Sequence, residues 1–186
     1  MPRLVVLAVA VLALAAGGCG DSESQTRTVA DTEGLYLNIS GLSYQIQMSR
    51  YLNPNDVEDS EYLIGLPKGT APPGGDDIFF GVWVRIQNFS DQPRPSANSW
   101  EIHDTQDNVY RPIPIDTNIN PFVLKVGAEV PGNGLIPNPS SAPGQGPTQG
   151  ALLLFKVTID SLQNRPLELH FSNGGQNRGG SYDLDV

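Results

Sequence analysis

Apolar and polar side chains alternate with a period of two along IFFGVWVRIQNFS, and this alternation restricts the chain to β structure. Ile78, Phe80, Val82, Val84 and Ile86 share one face of an extended backbone, while Phe79, Trp83 and Arg85 fall on the other with Gly81 between them. The same period returns in ALLLFKVTID, with Ala151, Leu153, Phe155, Val157 and Ile159 on one face. In LYLNISGLSYQIQMSRYL, Leu42, Tyr44, Ile46 and Met48 alternate with Ser43, Gln45, Gln47 and Ser49. Trp100 and Ile102 begin a short strand, TQDN turns it, and VYRPIPI returns as a hairpin partner. Pro112 and Pro114 lack ladder donors and confine that return to an edge. Leu167, Leu169 and Phe171 mark another strand, and SYDLDV a last one.

No stretch of helical length carries a 3.6-residue period, and 20 Gly with 16 Pro suit a loop-rich β protein. About seven or eight short strands separated by turns imply an all-β fold, an immunoglobulin-like antiparallel β-sandwich over residues 34–186. Val82, Val84, Ile86, Leu153, Phe155, Val157 and Leu169 are its expected inward residues. Trp100 is expected to pack near the hairpin, and Trp83 to lie partly covered on the second face of its strand. The stretch 127–150 is too rich in Gly and Pro for regular structure, and loops this long are usually functional or disordered. Its apolar residues Val130, Leu135 and Ile136 either cap an open end of the sandwich or are presented to a partner.

The other end of the chain supplies an address. Arg3 precedes the apolar run Leu4 to Ala16, which ends in Ala16-Gly17-Gly18-Cys19 before the sequence turns polar. A run of about 13 residues is too short to cross a bilayer as a helix, which takes about 20. The layout is that of a secretory signal over residues 1–18, and its small-small-Cys ending resembles the bacterial lipobox. In that motif the thiol receives a diacylglyceryl group and the chain is cut before it. Two acyl chains would hold stably in a bilayer where one holds only marginally. The alternative is a free cysteine beyond an ordinary cleavable signal. Residues 19–33 are then the lipidated cysteine and a polar, flexible tether. Cys19 is the only cysteine, so no intrachain disulfide is available. A formal net charge of −9 argues against nucleic acid, which calls for basic patches.

The middle of the chain, FFGVWVRIQNFSDQP followed by SWEIHDTQDNVYRP, resembles the telokin-like, immunoglobulin-like domain of unknown function found in Gram-positive lipoproteins. The mycobacterial immunoprotective extracellular antigen is related to that family. Asn88 ends the long strand, Ile102, Asp104 and Tyr110 stand in the hairpin positions, and GALLLFKV over Gly150 to Val157 matches the later strand. Asn108 stands near the usual hairpin glycine, which Asn can replace because it tolerates left-handed backbone angles. The resemblance covers roughly residues 34–172 and implies a fold without implying a catalytic residue.

Candidate sites are few. His103 beside Asp104 could contribute to a hydrolase site, but no nucleophile elbow or oxyanion segment accompanies them. Zinc would need three or four ligands, and only His103 and His170 are present, far apart in sequence. Calcium takes oxygen ligands; Asp56, Glu58, Asp59 and Glu61 in one run, with Asp104, Asp107 and Asn108 in another, are the candidates. Neither run matches a twelve-residue calcium loop, and a solvated acidic loop and a side-chain-stabilised turn are the plainer reading. The expected function is a membrane-anchored extracytoplasmic lipoprotein, without cofactor, whose sandwich is a non-enzymatic interaction module for an unidentified envelope protein. The alternative is a hydrolase or calcium-dependent protein with a site assembled from the scattered polar residues above.

Overall fold

The strands form where the sequence alternates, and the long apolar ones become the centre of the fold. The computed structural model describes residues 27–174 and 179–185; Cys19 and the signal segment lie outside the described residues. In chain order the strands are β1 (Val29–Ala30), β2 (Tyr36–Ile39), β3 (Leu42–Leu52), β4 (Asp77–Gln87), β5 (Arg94–Pro95), β6 (Ser99–His103) and β7 (Val109–Tyr110). They continue as β8 (Glu129–Val130), β9 (Leu135–Ile136), β10 (Ala151–Thr158), β11 (Leu167–Ser172) and β12 (Gly179–Leu184). Two short helices, α1 (Val57–Tyr62) and α2 (Ala142–Gln145), and a 3₁₀ turn (Ile159–Leu162) complete the described elements.

Two five-stranded sheets face each other, one in the order β1-β12-β11-β6-β7, the other β10-β4-β3-β2 with β9 against the end of β4. The fold is the expected all-β sandwich. The described strands pair antiparallel except at β1, which runs parallel to β12 with Val29 opposite Ser181. That strand shortens the tether expected over residues 19–33, because the ordered domain already begins at Val29.

Register puts the inward residues in layers. Phe155 lies opposite Phe80, Leu153 opposite Val82 and Ala151 opposite Val84. They pack against Trp100, Ile102, Leu169, Phe171 and Tyr182 of the other sheet. All seven expected core residues are buried.

Two features of the second sheet depart from the alternating pattern. Between Ile46 and Met48 the pairing with β4 slips by one residue, so Ile46 faces Val84 but Met48 faces Trp83. This bulge turns Met48 onto the outer face, away from Leu42, Tyr44 and Ile46. That outer face is itself covered. Leu52, Phe79, Trp83, Ile115, Leu152 and Leu154 form a second core beneath the connections carrying α1 and residues 113–123. Trp83 is therefore buried rather than partly covered. Its indole lies edge-on to Tyr62, at 5.2 Å between centroids, with the Arg50 guanidinium 5.2 Å from its ring. Asn120, fully buried, donates to the carbonyls of Glu61, Tyr62 and Ile64 and seals the cover.

Gly81 is required by this arrangement, since a Cβ there would lie 2.8 Å from two Trp83 ring atoms. Gly81→Ala should lower stability by about 1–3 kcal/mol through overpacking, read by chemical denaturation, with a shift in tryptophan fluorescence. Tyr182 donates its hydroxyl to the Tyr44 carbonyl at 2.7 Å, with the Leu35 carbonyl 3.1 Å away. Tyr182→Phe should cost about 1–3 kcal/mol, because it strips the buried Tyr44 carbonyl of this donor. Wild-type stability in that variant would refute the role given to this hydroxyl.

Candidate functional site

The hairpin between β6 and β7 brings together the residues first considered as catalytic, and it separates their side chains. His103 projects from the outer face of its sheet, where its Nε2 lies 3.2 Å from Glu101 Oε2. Asp104 turns inward and is buried. Its Oδ1 accepts from the Gln106 and Asn108 amides at 2.9 and 3.0 Å, and its Oδ2 from the Asn108 side chain at 2.8 Å. Ser161 Oγ donates to the same Oδ2 at 3.0 Å. Asp104 therefore organises a turn and does not orient His103. Burial would raise its pKa, but these four donors overcome that and hold the carboxyl down to about 2.

The left-handed residue of the turn is Asp107, with φ at 62°, not Asn108 as expected. Asn108 instead closes the turn through its side chain. Tyr110 continues the network, its hydroxyl bonded to Ser161 Oγ and 3.1 Å from Thr158 Oγ1. This chain of polar contacts ties the hairpin to the 3₁₀ turn that follows β10.

The two histidines, far apart in sequence, are neighbours in space. Antiparallel pairing of β6 with β11 sets His103 opposite Glu168 and His170 opposite Glu101, so the imidazoles meet diagonally with centroids 4.5 Å apart. His170 Nε2 lies 3.0 Å from Glu168 Oε2. The His103 imidazole and the Arg111 guanidinium hold Glu101 below the usual carboxylate range. Among the described residues, no group of three or more His, Cys, Asp or Glu is arranged to hold a metal ion.

The acidic run 56–61 is structural as well. Asp56 caps the N-terminus of α1 by accepting from the Glu58 and Asp59 amides. Asp59 is buried, pairs with Arg50 at 2.6 Å and accepts from the Asn53 amide. Burial raises the pKa of Asp59, but the Arg50 hydrogen bond and that amide leave it below its ordinary value. Glu58 and Glu61 are exposed. The four carboxylates thus point to different tasks, and they do not converge as calcium ligands would.

The 127–150 stretch folds back on the sandwich. Val130 is fully buried in the main core, and Ile136 packs against it. Leu135 and Ile136 pair with Gln87 and Ile86 at the end of β4. Asn88, also buried, donates its side chain to the Val130 carbonyl at 3.1 Å and its amide to the Gly134 carbonyl at 2.9 Å. Two short strands and α2, capped by Ser141, replace the irregular loop expected there. Val130 is thus a core residue, and Leu135 and Ile136, half-buried, lie along the end of β4.

No protein-family model matches the sequence, and no curated protein is detectably similar to it. Solved structures share its architecture. The yjhA protein of Bacillus subtilis superposes with a TM-score of 0.51 at 10% identity, covering 83% of this chain and 99% of that one. A candidate lipoprotein of Bacillus subtilis strain 168, ycdA, gives 0.50 at 13% identity over 84% of this chain and 39% of its own. An uncharacterised β-sandwich protein of Clostridium difficile 630 gives 0.46 at 12% identity, over 84% and 95% of the two chains. At such identities the likeness is one of fold.

The depressed pKa of Asp104 makes part of the stability dependent on acid. A carboxyl held below its unfolded value stabilises the fold above that value and loses its contribution as pH falls. Asp104→Asn should therefore lower the melting temperature at neutral pH. The gap from wild type should close as pH falls from 3.8 to about 2, followed by thermal melts across that range. A gap that stayed constant would refute the role of the charge.

Proposed function

We propose that the protein is a lipid-anchored extracytoplasmic interaction module, held at the membrane through Cys19 and presenting its sandwich to a partner in the cell envelope. The segment LALAAGGC carries this reading, because it joins an export signal to a lone cysteine at the point where the chain turns polar. Only residues 20–28 separate that cysteine from the first strand, so the anchor would hold the edge formed by β1 and β12 close to the bilayer. The similarity in fold to ycdA supports the address. Among the described residues no helix is long and apolar enough to cross a membrane.

The telokin-like family of Gram-positive lipoproteins is the finer reading. The hairpin supports it, with Ile102 opposite Tyr110 and Asp104 organising the turn between them. So does Asn88, which ends the long strand and fastens the later loop to it. An interaction module is favoured over a hydrolase because His103 and Asp104 engage different partners on different faces.

Growth with an alkyne analogue of palmitate should label the wild-type protein, and Cys19→Ala should abolish the label while leaving the β circular dichroism spectrum intact. Label that persisted in the variant would overturn the anchor.

A further inference from the structure

On the side of the sandwich where β7 and β10 end their sheets, a cleft of about 390 Å³ enters between the two layers. That volume is in the range of small-molecule sites, about 300–1,000 Å³. Ile113, Val123, Leu124 and Leu152 supply an apolar wall, and Trp100 and Leu154 line it from the two sheets.

Beside this cleft the hydrogen-bond ladder of each sheet stops short. Alternate residues of an antiparallel strand present their amides and carbonyls to alternate neighbours. On β6 the Asp104 amide donates to the Asn108 carbonyl, so Ile102 and Trp100 face the β7 side as well. Register sets Ile102 opposite Tyr110, which puts Pro112 at the position opposite Trp100. Proline has no N–H to offer. The chain turns away there to the other sheet, where the Ile113 amide donates to the Leu154 carbonyl at 2.7 Å. The Trp100 amide is left without an acceptor among the described residues.

The outer edge of β10 has the same deficit. The Ile159 amide donates to the Asp76 carbonyl on the β4 side, so Leu152 and Leu154 present their backbone groups to the opposite edge. Leu152 is satisfied, donating its amide to Phe122 at 2.7 Å and accepting from the Leu124 amide at 2.8 Å. Leu154 accepts from Ile113, but its own amide finds no acceptor among the described residues. Trp100 and Leu154 are both buried, and buried amides are almost always paired.

Both orphaned groups are donors, and Arg111 and Lys125 line the same cleft, where Arg111 already engages Glu101 at 2.8 Å. From two unpaired amides in an apolar cleft flanked by cationic side chains, we infer that the cleft binds a small amphipathic carboxylate. Its hydrocarbon body would lie along Ile113, Val123 and Leu152, and its oxygens would accept from the free amides with Lys125 nearby. An added peptide strand fits less well, because Pro112 and Pro114 already run along this edge and the Ile113 hydrogen bond holds them there. The inference goes beyond the interaction-module reading and rests on the described domain alone, so it stands or falls separately from acylation at Cys19.

Equilibrium dialysis against octanoate tests it, using the full-length protein with phosphatidylcholine nanodiscs and protein-free nanodiscs as the blank. One saturable site per chain is expected, with much weaker binding of octan-1-ol and octylammonium and none of acetate. Octanoate should also slow hydrogen exchange at the Trp100 and Leu154 amides, followed by mass spectrometry. Val126→Glu places a carboxylate at an exposed position of the lining. It should leave the melting temperature near that of wild type and weaken octanoate binding about tenfold or more. The inference fails if no saturable site appears, if octan-1-ol or octylammonium binds as tightly as octanoate, if exchange at both amides is unchanged, or if Val126→Glu binds like wild type. A blocked Val-Thr-Val-Thr peptide that protected these amides where octanoate did not would assign the edge to strand addition and overturn it as well.

Discussion

Two buried tyrosine hydroxyls join the sheets, and the layered core is organised around them. Tyr182, on β12, reaches across to the carbonyl of Tyr44 on β3, while the Tyr44 hydroxyl accepts from the Ala97 amide at 2.9 Å. Their rings belong to an aromatic cluster spanning both sheets. Phe171 stacks on Trp100 with centroids 5.0 Å apart and lies 4.6 Å from Tyr44. Burial pushes the Tyr44 phenol up to about 12 and raises that of Tyr182 as well. Both remain neutral at ordinary pH, so this join between the sheets does not titrate. In a chain without an intrachain disulfide, such directional contacts fix how one sheet sits on the other.

The second constraint is that the sheet built on β4 is buried on both faces. One face meets the aromatic cluster, and the other is roofed by α1 and the 113–123 connection around Trp83. A roof made of connections must satisfy its own backbone, because buried carbonyls need donors. Asn120 does this for the chain leaving α1, and the Arg50–Asp59 pair fastens α1 to β3. The same solution appears at the end of β4, where Asn88 ties down the long loop. Buried asparagines thus anchor irregular segments to regular ones.

These anchors explain why most polar candidates are structural. Asp56, Asp59 and Asp104 use their carboxylates on nearby backbone amides, with Arg50 added at Asp59 and the Asn108 and Ser161 side chains at Asp104, which leaves little capacity for a metal ion or a reacting group. The polar groups left over are of another kind. The histidine and glutamate pairs on the outer face of β6 and β11 satisfy one another, whereas the buried hydroxyls of Ser40 and Ser96 find no partner among the described residues.

The sequence by itself determined the long strands, their inward faces and the all-β class, because side-chain alternation is a local property of an extended chain. Its lipobox-like segment set the expected address for the same reason, since a signal is read as a linear pattern. The covering of the outer face was hinted at by the continuous apolar runs FFGVWV and ALLLF, which a half-exposed strand does not need. Only the tertiary structure decided the rest. The bulge after Ile46 depends on how β3 registers against β4. The meeting of His103 with His170 depends on pairing between strands remote in sequence. The inward turn of Val130 and its pairing with Arg94 arise where distant loops converge. Such contacts are set by the packing of the whole chain, and no local pattern of residues encodes them.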